Sequence, residues 1–156
     1  MRKPWNLPDL PVYSLATYDD GAVNMNICTY VTAVSLDPKL FMVAVYHNTK
    51  TLENIRNSDK AVLQILHENQ AALVRMLGKK SGIIYNKFSY LSKKQMMSRW
   101  QDYDVLKEAC AYIELEKISA IETGDHDAYF FRALRSKSFS DQVLTTGHLR
   151  KLSIIA

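Results

Sequence analysis

Cysteine is scarce in this chain. Only Cys28 and Cys110 occur, and no CxxC or Cys/His cluster accompanies them to suggest a zinc site. Two reduced thiols and a cytoplasmic protein are the simplest expectation. Glycine-rich motifs are missing too. Without a GxGxxG a dinucleotide-binding Rossmann unit has no support. Without P-loop, zinc-finger or RNP patterns, neither nucleoside triphosphate nor nucleic acid is an expected partner. There is no GxSxG elbow or Ser-His-Asp arrangement, and the dispersed carboxylates give no paired-acid signal. Long apolar runs are absent. The longest, Leu40 to Tyr46, is far too short to cross a bilayer, so no membrane association is expected. The opening "MRKPWNLPDLP" has charge without an apolar core, which predicts no secretory signal. It holds three of the four prolines and reads as an extended arm over residues 1–11.

What remains is an ordinary globular mixture of 156 residues with a net charge of +4. That length suits one domain with its own core, and no linker or repeat divides it. The basic clusters "GKKSG" (Gly78–Gly82) and "SKK" (Ser92–Lys94) suit a phosphate-bearing cofactor, a solvated face or an acidic partner.

Turn signals and apolar runs predict mostly β structure. Val12–Tyr18 reads as a strand, Asp19–Ala22 as an Asp-Gly turn, and Met25–Leu36 as a second strand ending in "LDPK". Leu40–Tyr46 reads as a buried central strand. "TLENIRNSD" predicts a short helix with Leu52 and Ile55 on one face. Ala61–His67 is another buried strand. "NQAALVRMLG" predicts a helix capped by Asn69, with Gly78 just past its end and Leu73, Met76 and Leu77 as its stripe. Residues 81–104 mix aromatics and charge without a clean period. From Cys110 a long hairpin turns at Gly124–His126, with Tyr112, Glu114 and Glu116 alternating against Ile113 and Leu115. "VLTTG" suggests a last short strand and "LRKLSIIA" an apolar tail. Six or seven mainly antiparallel strands with two or three helices point to a mainly β fold, a Greek-key or split β-barrel with flanking helices.

Two stretches carry the chemistry. In "NICTYVTAVSLDP" the hydroxyls of Thr29, Thr32 and Ser35 recur every third residue, against a strand's period of two. Threonine favours strands, so composition alone explains much of this. A ligand with a polar edge along strand and loop also explains it: Asn26, Thr29 and Tyr30 offer amide, hydroxyl and aromatic contacts suited to a flavin ring. In "YHNTKTLENI" a strand gives way to a helix, and Asn48, Thr49, Lys50 and Thr51 gather at the helix start. N-capping by Asn48 or Thr49 is the plain reading. Free amides, the helix dipole and a lysine together also make an anion site. Lys79 complements its own helix end, while Lys80 and Ser81 stay open to a cofactor role. His126 lies between Asp125 and Asp127 in a turn. His47, His67 and His148 receive no role.

In order, these segments resemble the flavin reductase-like family with the FMN-binding split barrel. The resemblance rests on "N-x-x-T-x-x-T-x-V-S-x-D-P", then "N-T-x-T-x-x-N-I", "G-x-x-S-G", "N-K-F" and "G-D-H-D", across roughly residues 10 to 148. It implies a homodimer with FMN (or FAD) near the interface and reduction of flavin by NAD(P)H, with hydride passing to flavin N5. Carried over, Asn26, Thr29 and Tyr30 would lie along the isoalloxazine ring, with Cys28 and Val31 between and beside them also counted as cofactor-binding. Thr32 and Ser35 would be nearer the ribityl chain or purely structural. Asn48, Thr49, Lys50 and Thr51 would hold the phosphate, and Lys80, Ser81 and Lys87 would close over the cofactor. His126 matches a histidine near the nicotinamide. Electrons would pass on to a second flavin, a partner oxygenase or a small acceptor. One departure stands out: "YFFRAL" replaces the family's usual glycine and acid, and Phe131 with Arg132 is expected to narrow or re-charge the substrate face. That motivates one rival reading, an FMN-binding electron carrier or sensor without efficient NAD(P)H turnover; the chain's basic face motivates another, a non-enzymatic basic barrel binding an acidic partner.

Overall fold

The computed structural model describes residues 1–156. β1 (Tyr13–Asp19) turns through Asp20 and Gly21 into β2 (Ala22–Met25). Both turn residues have positive φ, 46° and 81°, the left-handed conformation that Asp and Gly tolerate in tight hairpins. Here the chain departs from the expected continuous strand. β2 ends at Met25, and β3 (Val31–Ser35) begins only after a loop, Asn26–Tyr30. β4 (Leu40–Tyr46), α1 (Lys50–Asn57) and β5 (Lys60–Ile65) follow, then α2 (Leu73–Lys79), α3 (Lys87–Lys93), the β6 (Met97–Trp100) and β7 (Tyr103–Leu106) hairpin, β8 (Ala111–Glu122), β9 (His126–Ser138) and α4 (Thr146–Lys151).

Seven strands form one antiparallel sheet in the order β2-β1-β5-β8-β9-β4-β3. β3 nearly returns to β1. The Tyr13 and Cys28 backbones exchange hydrogen bonds of 2.9 Å, and the Asn26 side-chain oxygen accepts from Leu15 N–H at 2.7 Å. The sheet therefore curls into a barrel whose seam is the Asn26–Tyr30 loop. Two irregularities in the β8–β9 register, at Ile113/Leu115 and Lys117/Ser119, bend the long ribbon so that its two halves serve different sides, as bulges do.

Alternating residues of the barrel strands fill two cores. Leu15, Val43, Val45, Leu63, Leu115 and Phe131 meet inside, and Leu52 and Ile55 of α1 join them. Ala16, Met25, Val62 and Leu66 face the other way, beneath α2, α3, β7 and α4. β5 is buried on both faces from Ala61 to Gln64, which suits its apolar Ala61–Leu63 stretch.

Several expectations are corrected. β4 is not a buried central strand: it lies one place in from the sheet edge, and only Val43 and Val45 are buried. Asn69 caps nothing; His67 caps a short 3-10 turn, its imidazole accepting from Asn69 N–H. Gly78 sits inside α2, whose buried stripe is Leu73, Val74 and Leu77. The 81–104 region holds a whole helix and a separate hairpin. "VLTTG" makes isolated bridges from Val143 and Thr145, and the start of the tail, Leu149–Lys151, ends α4, which Thr145 caps. The bulges break the β8 alternation, leaving Glu114 buried beside Leu115.

Candidate functional site

At the barrel seam a cleft of about 480 Å³ opens between the Asn26–Tyr30 loop, the start of α1 and the end of α2. Its volume is that of a small-molecule site. Four lysines line it (Lys50, Lys79, Lys80 and Lys87) with His47 and His126, and no carboxylate does. Such a cleft selects an anion.

Lys87 is the most constrained of these cations. It is 5% exposed, and its ammonium donates to Leu77 O at 2.7 Å. Burial pulls its pKa down to about 8, because a desolvated ammonium lacks compensation. At the α1 start, Thr49 is the N-cap: its hydroxyl accepts from Leu52 N–H and donates to Tyr46 O. That hydroxyl is therefore spent on the helix. The amides of Lys50 and Thr51 meet no protein acceptor, so the first turn still presents donors to the cleft. Asn48 holds φ at 58° to make the turn into the helix. The Lys50 ammonium reaches only the half-exposed Glu53, at 3.2 Å. Thr51 is buried and accepts from Asn24 Nδ2 at 3.1 Å, which locks β2 to α1 beneath the floor.

Gly82 closes the other wall. A Cβ there would overlap the Asn24 side-chain oxygen and approach Lys50 Cβ to 2.9 Å. Only glycine lets the Lys80–Gly82 segment lie this close, which gives the "G-x-x-S-G" pattern a steric reason. Lys80 stacks its ammonium 4.4 Å from the Tyr85 ring.

The opposite end is aromatic. His126 lies between Tyr30 and Tyr46, with ring centroids at 5.4 and 5.1 Å. Its Nδ1 meets Asp125 Oδ1 at 2.6 Å, and this contact holds the Asp125 carboxyl below its usual pKa. The amides of Thr29 and Tyr30 have no protein acceptor. Cys28 lines the cleft, but burial pushes its thiol up to about 12, so it is not a thiolate nucleophile.

The structure thus gathers Asn26, Cys28, Thr29, Tyr30, Asn48, Thr49, Lys50, Thr51, Lys80, Ser81, Lys87 and His126 into one cleft. Val31, Thr32 and Ser35 lie outside its lining. Val31 packs on the barrel core, the Thr32 hydroxyl turns to Ala33 O, and Ser35 pairs with Leu40 across an irregular step in the ladder. The expected effect of Phe131 on the substrate face is corrected. Phe131 is fully buried, stacked with Tyr129 at 6.2 Å, and neither it nor Arg132 lines the cleft. Sequence reading missed Asn24, which has no local signal. It also missed His47, whose Nε2 lies 2.8 Å from Asp127 Oδ1; the "GDHD" carboxylate that meets it was visible but unassigned.

The fold is an antiparallel barrel split at a seam, and the seam holds a carboxylate-free cleft lined by four lysines. The chain belongs to the flavin reductase like domain family, whose sequence profile matches residues 9–152. An uncharacterised protein of Archaeoglobus fulgidus is 29% identical over 122 residues, 76% of this chain and 69% of that one. Among solved structures, an FMN-binding protein from Thermus thermophilus with bound 1-cyclohex-2-enone superposes with a TM-score of 0.76 at 21% identity, covering 88% of this chain and 75% of that one. BorF, the flavin reductase component of a bacterial two-component tryptophan halogenase, gives 0.79 at 16% identity over 93% and 90%. The styrene monooxygenase flavin reductase of Pseudomonas putida S12 gives 0.73 at 19% over 89% and 86%. These likenesses establish the fold. No helix is long and apolar enough to cross a membrane.

Proposed function

We propose that this chain binds FMN in the seam cleft and is an NAD(P)H-dependent flavin oxidoreductase. The observation that carries the reading is the four-lysine, carboxylate-free cleft ending in the Tyr30–His126–Tyr46 cluster. The residues fit the cofactor. Lys50, its amide and that of Thr51 would hold the phosphate. The buried Lys87 ammonium, with one protein acceptor, gains a compensating anion there. Thr29 and Tyr30 amides would donate to the ring's polar edge and favour negative charge on it. Bound there, the flavin supplies hydride acceptance at N5 and onward electron transfer. His126, oriented by Asp125, would position the nicotinamide or hold a proton at Nε2.

The Phe131–Arg132 stretch gave the motive for a carrier without turnover; Phe131 is buried in the core and Arg132, though exposed, lies outside the cleft lining, which weakens that motive. A homodimer suits the exposed apolar residues Val34, Leu36, Ile118 and Ile121, which a second copy would cover. Similar structures are named as a styrene monooxygenase flavin reductase, the flavin reductase component of a two-component tryptophan halogenase and component B of a nitrilotriacetate monooxygenase, which supports a partner oxygenase as electron acceptor.

The test is a visible spectrum after FMN addition and desalting, followed by anaerobic NADH or NADPH. Retained flavin that bleaches within a normal turnover time supports the reading. Retained flavin that does not bleach supports the carrier. Protein that never holds FMN removes the cleft assignment.

A further inference from the structure

The charge of this chain is unevenly placed. Of its 20 lysines and arginines, seven lie between Glu68 and Asp102; of its 16 acidic residues, none does. The rest of the chain holds 13 cations against 16 carboxylates, so the net positive charge belongs to this one segment. It folds as α2, the turn after it, α3 and the first strand of the β6–β7 hairpin. Of the seven cations only Arg99 meets a carboxylate, Asp104 at 3.1 Å. The seam cleft takes Lys79, Lys80 and Lys87 into its lining. Lys93 and Lys94, exposed at the end of α3, form no part of it.

A row of side chains joins the cleft mouth to that far end. Lys80 Nζ lies 4.4 Å from the Tyr85 ring, the Tyr85 ring lies 6.4 Å from that of Tyr90, and Lys94 Nζ lies 5.9 Å from the Tyr90 ring. Cation–π attraction steadies both ammoniums, and each keeps donors to spare. Next to this row stands Ile84, 90% exposed. It sits on an ordered turn: the N–H groups of Ile84 and Tyr85 both donate to Ser81 O, at 3.3 and 2.9 Å. A fixed, protruding aliphatic side chain within a cationic rim has the anatomy of a protein contact, an apolar anchor ringed by polar groups.

We propose that this face docks a protein whose own contact surface is acidic around an apolar pocket. Charge complementarity selects that occupant. A second copy meeting this face through a two-fold axis would set the same cations against themselves. Nucleic acid seeks free aromatic faces, whereas a lysine lies over each tyrosine. A bilayer seeks a broad apolar face, whereas only Ile83 and Ile84 protrude from this segment. Lys79 and Lys80 belong to both surfaces, so a docked partner sits at the cleft mouth. The inference stands apart from the flavin reading of the cleft.

The probe is a random glutamate–tyrosine copolymer, with polyglutamate of equal length as the control that lacks an apolar knob. Each is titrated by calorimetry into flavin-free protein and into protein saturated with FMN. The variants are Ile84→Ser and the pair Lys93→Glu with Lys94→Glu. Wild type is expected to bind the copolymer with and without FMN, about tenfold more tightly than polyglutamate, and less tightly as salt rises. The lysine pair is expected to weaken both probes by about tenfold or more. Ile84→Ser is expected to erase the copolymer's advantage, and FMN affinity to stay within about twofold in both variants. No copolymer binding by wild type, or binding unchanged in either variant, overturns the inference. So does copolymer binding that FMN abolishes, because the cleft alone then held the probe. Oligothymidylate that outcompetes the copolymer overturns it in favour of nucleic acid. Phosphatidylserine–phosphatidylcholine vesicles that sediment wild type but not the lysine pair overturn it in favour of a membrane. Self-association in sedimentation that Ile84→Ser dissolves overturns it in favour of a second copy. Failure to bind FMN overturns the cleft reading alone, and the flavin-free titrations still decide the docking.

Discussion

Lys87 Nζ lies 2.7 Å from the Leu77 carbonyl oxygen, the only hydrogen bond this buried ammonium makes within the protein. A charge so placed stabilises the fold weakly and an anionic ligand strongly. Replacing it with methionine keeps the stem and removes the charge. Lys87→Met is expected to weaken FMN binding by about 10- to 100-fold, the worth of a charge-assisted contact. The melting temperature of the flavin-free protein should hardly fall. Fluorescence titration with FMN checks it; an unchanged Kd would remove Lys87 from the site.

The same residue sets a pH dependence. Its folded pKa is about 8, below the ordinary lysine value. Between that pH and the unfolded lysine pKa, the unfolded chain binds the extra proton. The group's contribution to flavin-free stability therefore rises with pH across that window. Anion binding runs the other way, since only the charged form attracts phosphate. FMN affinity is expected to drop as pH climbs through about 8, and Lys87→Met to flatten that step. A wild-type profile without the step would contradict this.

Gly82 predicts a different failure. Gly82→Ala must push against Asn24 and Lys50, which are tied through Thr51 to the α1 floor. The expected cost is about 1–3 kcal/mol of stability, with FMN affinity falling as well. Thermal melts of flavin-free protein beside FMN titrations separate the two effects. Normal values in both would show that the strap yields freely.

Much of this was legible in the sequence. "N-T-x-T-x-x-N-I" marked the α1 turn because capping is local: Thr49 needs only Tyr46 and Leu52. The turn at Gly124 was legible for the same reason. The Asn26–Tyr30 loop was not. Its residues look like strand, and only closure of the barrel against β1 makes Asn26 a side-chain substitute for a missing ladder bond at Leu15. His47 escaped because its partner Asp127 stands eighty positions away. Phe131 misled because a family difference in sequence suggested a surface change, whereas its alternation with Tyr129 directs it into the core.

His126 and Asp125 form a hydrogen-bonded pair at the aromatic end of the cleft. His126→Asn should leave FMN bound and slow anaerobic bleaching by NADH by about 10²-fold or more, the range for a positioned acid or base. Asp125→Asn acts through the imidazole, so it is expected to shift the pH profile of bleaching with a smaller loss in rate. Stopped-flow absorbance reads both. Equal rates in wild type and His126→Asn would take the histidine out of the reaction.

Away from the cleft, Glu114 joins Tyr18, Gln64 and Tyr112 in holding the β6–β7 hairpin on the barrel. Its carboxylate is 4% exposed, accepts from Tyr103 OH at 2.7 Å and pairs with Arg135 Nε at 2.5 Å. Tyr103 lies in β7 and Arg135 in β9, so one acid on β8 pins three strands. Arg135 beside it holds the carboxyl below its usual pKa. A depressed carboxylate pKa contributes stability above the unfolded value and loses it as pH falls through the folded one. Glu114→Gln keeps the shape but discards the charge that the half-exposed Arg135 answers. About 1–3 kcal/mol of stability should be lost at neutral pH, with less acid sensitivity below the unfolded glutamate pKa. Denaturant melts at two pH values check this. Since Glu114 touches no cleft residue, FMN affinity should hold wherever the variant is folded, and a parallel loss of binding would mean that the hairpin shapes the site.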